Sequence, residues 1–253
     1  MRTTLSNGAV VCAPNRSGFG ARGIYLEGDS LEPELAVLDR LLPSEGTFVD
    51  VGANSGVYSL KAAKHFGGRG LVISIEPVVE VLAALGNSAR ANNLDNICLR
   101  NVCASDTTGS TVLWMNDETP NSFSITDRYA GARGLSVLTA TLDDLLTWDH
   151  IDRLDYLKID AEGAEQQVID GAARMIAKHR PIIQVETTLR GIDPIPDGYE
   201  VFHAPGSPNC VMIPDGHFAV SVVGDLGWAS VQKSVLANLG IRERTTPPRD
   251  ATT

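Results

Sequence analysis

Residues 47–56 read Thr-Phe-Val-Asp-Val-Gly-Ala-Asn-Ser-Gly, and the next apolar run, Leu71–Ile75, ends in Glu76 and Pro77. Phe48, Val49 and Val51 are β-prone and apolar, which predicts a buried central strand. Val57–Phe66 has helical spacing, so a strand turns sharply into a helix. Gly52 and Gly56 lack a Cβ, which lets the backbone take that turn and lets a ligand lie against it, beside the free N–H groups of a helix start. Asn54 and Ser55 are candidates to cap the helix. An acid at the tip of the second strand, Glu76, stands where a ribose diol is gripped by two hydrogen bonds. The two features together describe a nucleotide-type cofactor site on an α/β sheet.

Departures from known loops narrow the cofactor. The dinucleotide pattern G-x-G-x-x-G has Asn54 at its second glycine and Val57 at its third, which disfavours NAD, and no Walker loop occurs. What remains is a carboxylate, Asp50, ahead of the turn, and this suits a cationic amino-acid cofactor better than a pyrophosphate. S-adenosylmethionine carries both an ammonium and a sulfonium. A third strand, read over 97–104, ends in Ser105 and Asp106, where an adenine amino group can be met. A fourth, 154–159, ends in Asp160 with Glu162 two places on, and a fifth, 181–185, leads into Glu186. Asp50, Glu76, Asp106, Asp160 and Glu186 thus all fall at strand ends or their exits, where ligands bind in open parallel sheets.

Phe-Val-Asp-Val-Gly-Ala-Asn-Ser-Gly at 48–56, Ile-Glu-Pro at 75–77, Ala-Ser-Asp at 104–106, Leu-Lys-Ile-Asp-Ala-Glu-Gly-Ala-Glu at 157–165 and Val-Glu at 185–186 together resemble the FkbM family of S-adenosylmethionine-dependent methyltransferases. The resemblance covers roughly residues 46–188, with five separated motifs in order. It implies the class I methyltransferase (Rossmann-like) fold, an α/β architecture with a mostly parallel sheet and helices on both faces. It also implies O-methylation of a sugar, glycoside or polyketide-type natural product, with S-adenosylhomocysteine as the other product. The expected cofactor residues are Asp50, Gly52, Asn54, Gly56, Glu76, Ser105 and Asp106. A hydroxyl acceptor needs a general base, for which Asp160, Glu186 and His203 are the candidates.

Plainer readings stand beside these roles. Asp160 and Glu162 can simply cap a helix starting near Ala164, and a lone histidine such as His203 is more often structural than catalytic. Lys158 alternates with the buried positions of its strand and can pair with a neighbouring acid. A Mg²⁺ ion at the fourth and fifth strand tips ranks below a metal-free site, because Thr187 and Thr188 stand where a paired acid or an Asp-Asn would be wanted. Trp114, Phe123, Tyr129 and Phe202 can stack on an acceptor ring, although aromatics are more often core. Two further classes stay open: a cofactor-binding module without chemistry, and an NAD-dependent oxidoreductase on a similar sheet.

The rest of the chain reads as follows. Residues 1–45 form an N-terminal extension covering one side of the cleft, with a short hairpin around Asn7 and Gly8, a Gly-rich segment at 17–28 and a helix at 32–42. Residues 46–245 are the methyltransferase-like domain and 246–253 a disordered tail. Within the domain, 116–134 is a polar stretch without period, expected to be a substrate loop, 164–179 a helix, and 199–203 with 210–213 a closing antiparallel pair. With 253 residues, 43% of them hydrophobic, the chain can bury one good core. Its formal charge of −10 argues against a nucleic-acid or anionic-membrane partner. No apolar stretch reaches membrane-spanning length and no export signal is read, so the expected location is cytoplasmic and the four cysteines are expected as buried thiols. A homodimer is the prior for assembly.

Overall fold

The computed structural model describes residues 1–13, 21–115, 123–124, 133–187 and 191–231. The chain opens with a hairpin, β1 (Arg2–Thr4) and β2 (Val10–Cys12), followed by α1 (Ala21–Glu27), a 3-10 turn (Gly28–Leu31) and α2 (Pro33–Leu41). Then come β3 (Thr47–Val51), α3 (Val57–Phe66), β4 (Leu71–Ile75), α4 (Val79–Ala91) and β5 (Ile97–Arg100). A second group follows: β6 (Cys103–Ala104), β7 (Gly109–Met115), β8 (Phe123–Ser124) and β9 (Arg133–Ala140). The alternation resumes with α5 (Leu142–Trp148), β10 (Tyr156–Ile159), α6 (Glu165–Asp170), α7 (Ala173–His179) and β11 (Ile182–Glu186). It closes with β12 (Tyr199–His203), β13 (Asn209–Pro214), α8 (Ala219–Asp225) and β14 (Ala229–Ser230).

Eight strands form the main sheet in the order β14-β12-β13-β11-β10-β3-β4-β5. β11, β10, β3, β4 and β5 run parallel, and β13 and β12 close the sheet antiparallel, as expected for the C-terminal pair. Both faces are covered, which explains why β3 is buried at every position. Side chains alternate between the faces. Phe48, Val72, Tyr156 and Ile182 share one row and meet α2, α3 and α8, with the Phe48 and Tyr156 rings stacked at 5.1 Å. Val49, Ile73, Leu157 and Ile183 form the opposite row, over α5, α6 and α7. Each such buried side chain contributes about 1.5–3 kcal/mol.

Several expectations are corrected. The strand read over 97–104 is two: β5 stays in the main sheet, while β6 leaves it for a four-stranded sheet ordered β6-β9-β7-β8. The helix read over 164–179 breaks into α6 and α7, because the Asp143 carboxylate of α5 accepts the N–H groups of Arg174 and Met175 (3.0 and 2.8 Å) and starts a new helix there. Part of the Gly-rich segment is helical as α1. Most of the expected substrate loop, including Tyr129, and the expected tail lie outside the described residues. Phe202 is core, and the four cysteines are free, with only Cys210 fully buried.

Candidate active site

The sheet order turns between β3 and β10: β4 and β5 lie to one side, β11 to the other. A crevice outside the carboxyl ends of the strands is expected at such a reversal. The β3–α3 turn fills its floor. Gly52 has φ +68°, and a Cβ there would overlap the carbonyl oxygen of Asp160, so the tips of β3 and β10 touch only because this residue is glycine. The N–H groups of Gly52 and Ala53 both donate to the Ile75 carbonyl (3.0 and 3.1 Å). Gly56, at φ +82°, begins α3, and a Cβ there would collide with Leu85.

Neither Asn54 nor Ser55 caps α3, contrary to expectation; no side chain at the cap position does. The role falls to Asp50, whose Oδ2 accepts the Ser59 N–H (3.1 Å) and hydroxyl (2.6 Å) from within β3. Asp50 is 1% exposed and lies behind the turn. It belongs to a polar row across the sheet, Ser74, Asp50, Lys158 and Gln184, paired in register and all buried. The Lys158 ammonium stands 3.7 Å from Asp50 and 3.3 Å from Asp160, donates to the Gly52 carbonyl (3.4 Å) and lies over the Tyr58 ring. Burial works against its charge, but Asp160 and Asp50 raise its pKa well above the usual lysine value. Burial likewise raises Asp50, against the pull of Lys158. Gln184 extends the row, accepting from Tyr156 (2.8 Å) and donating to Tyr58 (2.9 Å), whose hydroxyl donates to Glu32 (2.6 Å).

The strand tips differ from this row. Glu76, one residue past β4 and 7% exposed, accepts the N–H groups of Asn54 (3.1 Å) and Val78 (2.9 Å). Burial pushes its carboxyl up to about 7. The Asp160 side chain is 39% exposed. Burial opposes its ionisation, yet the Lys158 charge and hydrogen bonds with Glu186 and Lys158 hold its pKa below the usual carboxylate value. Glu162 has φ +50°. It does not cap α6, nor does Asp160; instead the Glu165 carboxylate accepts the N–H groups of Ala161 and Gly163 (3.0 Å each) on either side of Glu162.

Two adjoining cavities open here, sharing Gly52, Asn54 and Asp160. One runs from Glu76 and Pro77 past Cys103, Ala104 and Leu113 to Glu162. The other is walled by Ile24, Leu31, Glu32 and Leu35 of the N-terminal segment together with Tyr58 and Lys158. The structure thus gathers Gly52, Asn54, Glu76 and Asp160 around one space. Ser105 and Asp106 lie beyond the lining of both cavities: the Ser105 hydroxyl donates to Asp106 (3.2 Å), and Asp106 is exposed. Glu186 joins the site through Asp160. His203 lies at the β12–β14 edge, two strands beyond Glu186, and lines neither cavity. Sequence reasoning missed the lining residues Cys103 and Ala104 and the central place of Lys158, and it placed Glu162 near the fourth strand tip without making it a site candidate; the Lys158 signal was its parity with Asp50, readable only once β3 and β10 are in register.

A cofactor with an adenosyl group and an amino-acid tail fits this lining. Asn54 Oδ1 is buried with no partner among the described protein atoms, Glu76 lines the same cavity with each oxygen accepting one N–H and keeping acceptor capacity, and the Cys103–Leu113 wall is largely apolar. Among the described residues no group of three His, Cys, Asp or Glu is placed to hold a metal ion, and no helix is long and apolar enough to cross a membrane.

A parallel sheet reversing at the crevice and closed by an antiparallel pair is the class I methyltransferase arrangement, and the description "Methyltransferase FkbM domain" matches residues 50–201. That stretch is more than half of the 253 residues, and the chain belongs to the FkbM methyltransferase family, whose cofactor is S-adenosylmethionine. Among solved structures, a methyltransferase FkbM from Methylobacillus flagellatus KT aligns with 80% of this chain and 56% of its own at 19% identity, TM-score 0.47. The chain therefore spans a little over half the length of that relative. The putative methyltransferase yhhF from Escherichia coli aligns with 86% of this chain and 100% of its own at 10% identity, TM-score 0.48. Aeropyrum pernix fibrillarin, solved with natively bound S-adenosyl-L-methionine, aligns with 83% and 91% at 12% identity, TM-score 0.40. No curated protein matches the chain.

Proposed function

We propose that the chain moves a methyl group from S-adenosylmethionine to a hydroxyl of a small sugar, glycoside or polyketide-type acceptor. The observation that carries this reading is the convergence of the β3–α3 turn, Glu76 and Asp160 on one cleft at the sheet reversal. When bound, the cofactor supplies an already activated methyl group on a sulfonium. The protein's work is then to hold and align, and alignment of reactants contributes up to about 7–11 kcal/mol of barrier lowering.

In this reading Glu76 takes the ribose hydroxyls, Asn54 offers its unpartnered oxygen to a donor, and Cys103, Ala104 and Leu113 face the adenine. Asp160, kept ionised by Lys158 and joined to Glu186, accepts a hydrogen bond from the acceptor hydroxyl and orients it. The acceptor hydroxyl enters where the two cavities meet at Asp160, with Glu162 on one flank and Ile24, Leu31 and Glu32 of the N-terminal segment on the other. His203 is given no role.

A thermal-shift comparison tests the cofactor half, since a ligand that prefers the native state raises its melting temperature. S-adenosylhomocysteine is expected to stabilise the chain and NAD(H) to leave it unchanged. Stabilisation by NAD(H) alone would overturn the reading. S-adenosylhomocysteine release with a panel of methyl glycosides tests the acceptor half.

A further inference from the structure

The carboxylates of the Asp160–Glu165 segment are not equivalent, and their placement separates their roles. Asp160 is committed to Lys158 at 3.3 Å and to Glu186. Glu165 is 2% exposed and spends one oxygen on two backbone N–H groups. Glu162, between those two N–H groups, is held in the left-handed region at φ +50°, rare for a residue with a Cβ, and lines the same cavity as Glu76 and Asp160. A strained backbone kept in place by a buried carboxylate that bonds both flanking N–H groups is a device for aiming one side chain.

We propose that Glu162 is the catalytic residue that receives the acceptor hydroxyl's proton, and that Glu165 is its positioning residue, holding the 161–163 turn. The inference rests on the methyl-transfer reading above. The acceptor O–H bond breaks and its proton passes to the Glu162 carboxylate; the oxygen's electron pair forms the new O–C bond, the electrons of the broken C–S bond stay on sulfur as a neutral thioether, and the proton later leaves to water. In this assignment Asp160, against the opposing effect of burial, is held ionised below the usual carboxylate value by Lys158 and orients the hydroxyl.

The charged and titratable groups around Glu162 are Lys158 of β10, Asp160 just past its end and Glu165 of α6, with Glu76 just past β4 and Cys103 of β6 lining the same cavity. Burial, followed by the charges of Asp160 and Glu165, pushes the Glu162 carboxyl up to about 7. A base near the working pH is the effective one.

The test uses the full chain as wild type, E162Q, E165A and E165Q. First, ¹³C NMR titration of the glutamate carboxyls, with the Glu162 signal identified by its loss in E162Q, is expected to give a midpoint near neutrality. An ordinary glutamate midpoint, about 4.3, overturns the proposal. Second, calorimetry with S-adenosylhomocysteine is expected to leave the E162Q affinity within about threefold of wild type, the scale of a minor contact. A loss beyond about tenfold makes Glu162 a cofactor ligand and overturns the proposal. Third, turnover of the methyl-glycoside panel is expected to fall about 10²–10⁴-fold in E162Q, and the wild-type rise with pH through neutrality is expected to flatten. E165A is expected to lose turnover as well, while E165Q, which can still accept both N–H groups, restores it. Wild-type turnover that survives in E162Q sinks this assignment alone. No wild-type turnover on the glycosides or on a matching set of free sugars and polyketide-type alcohols defeats the methyl-transfer reading, and the assignment falls with it.

Discussion

Asp50 and Glu76 look alike in the sequence, each an acid at the end of an apolar run, but the molecule uses them in opposite ways. Asp50 sits one residue inside β3 and turns back under the loop, into the row shared with Ser74, Lys158 and Gln184, where it anchors the first turn of α3. Glu76 sits one residue beyond β4 and lines the cleft. Asp50 is in register with Ser74, so Glu76 stands two places further along, past the last paired residue of β4, where the chain has left the sheet and the side chain meets the cleft instead of the layer behind it. The buried row therefore supports the fold, and the row of tips in front of it is free to meet a ligand.

The largest effect that could break this contrast is on stability. Lys158→Ala removes the cation between Asp50 and Asp160 and is expected to cost about 3–5 kcal/mol in urea unfolding, as for other buried pairs that lose one partner. A loss under about 1 kcal/mol, the level of a surface pair, would show the row is not structural.

Next comes a crossed pair. Glu76→Gln is expected to weaken S-adenosylhomocysteine binding about 10–100-fold with little change in melting temperature, since each hydrogen bond to a charged group is worth about 1.5–3 kcal/mol. Asp50→Asn is expected to do the reverse, lowering stability by about 1–3 kcal/mol while the affinity moves less than about threefold. If the two variants exchange phenotypes in calorimetry and unfolding, the division between row and tips is wrong.

A pH series sharpens the same point. Burial raises Glu76 from 4.5 to about 7 in the fold. Its protonated form is favoured in the native state, so the contribution to stability of the free protein is fully present below the unfolded value of 4.5 and is lost as pH rises through about 7. Ribose hydroxyls donate to the ionised form, so binding releases a proton. The affinity for S-adenosylhomocysteine should rise about tenfold between about pH 6 and 8 and be flat in Glu76→Gln. The smallest effect belongs to Asp106→Ala: exposed and outside both cavities, it is expected to change affinity within about twofold, as surface substitutions do.

Periodicity alone located α3, β4 and β12 at their observed bounds and found β3 through Phe48, Val49 and Val51, because each is a run whose burial follows its own local pattern. It failed where a distant side chain decides. Asp143 starts α7 from 31 positions away, and no window over 164–179 contains that information. The strand read over 97–104 splits because β6 pairs with β9, beyond the segment that resembled a loop. At the site, Glu76 and Asp160 were legible as acids after apolar runs. Ser105 and Asp106 were displaced from the cavity by the same departure of β6, which leaves Cys103 and Ala104 lining it. Glu162 was harder to read, since its backbone conformation depends on Glu165 folding back over the turn.

The contact between Gly52 and the Asp160 carbonyl has a kinetic consequence. The two strand tips rest on each other without a side chain between them and are tied by the Asp160 N–H, which donates to the Val51 carbonyl (3.1 Å), while Ile75 fixes the turn from the other flank through two hydrogen bonds. The floor of the crevice is thus a stiff seat, finished before its guest arrives, and whatever sets the residence time of that guest must be sought in the walls.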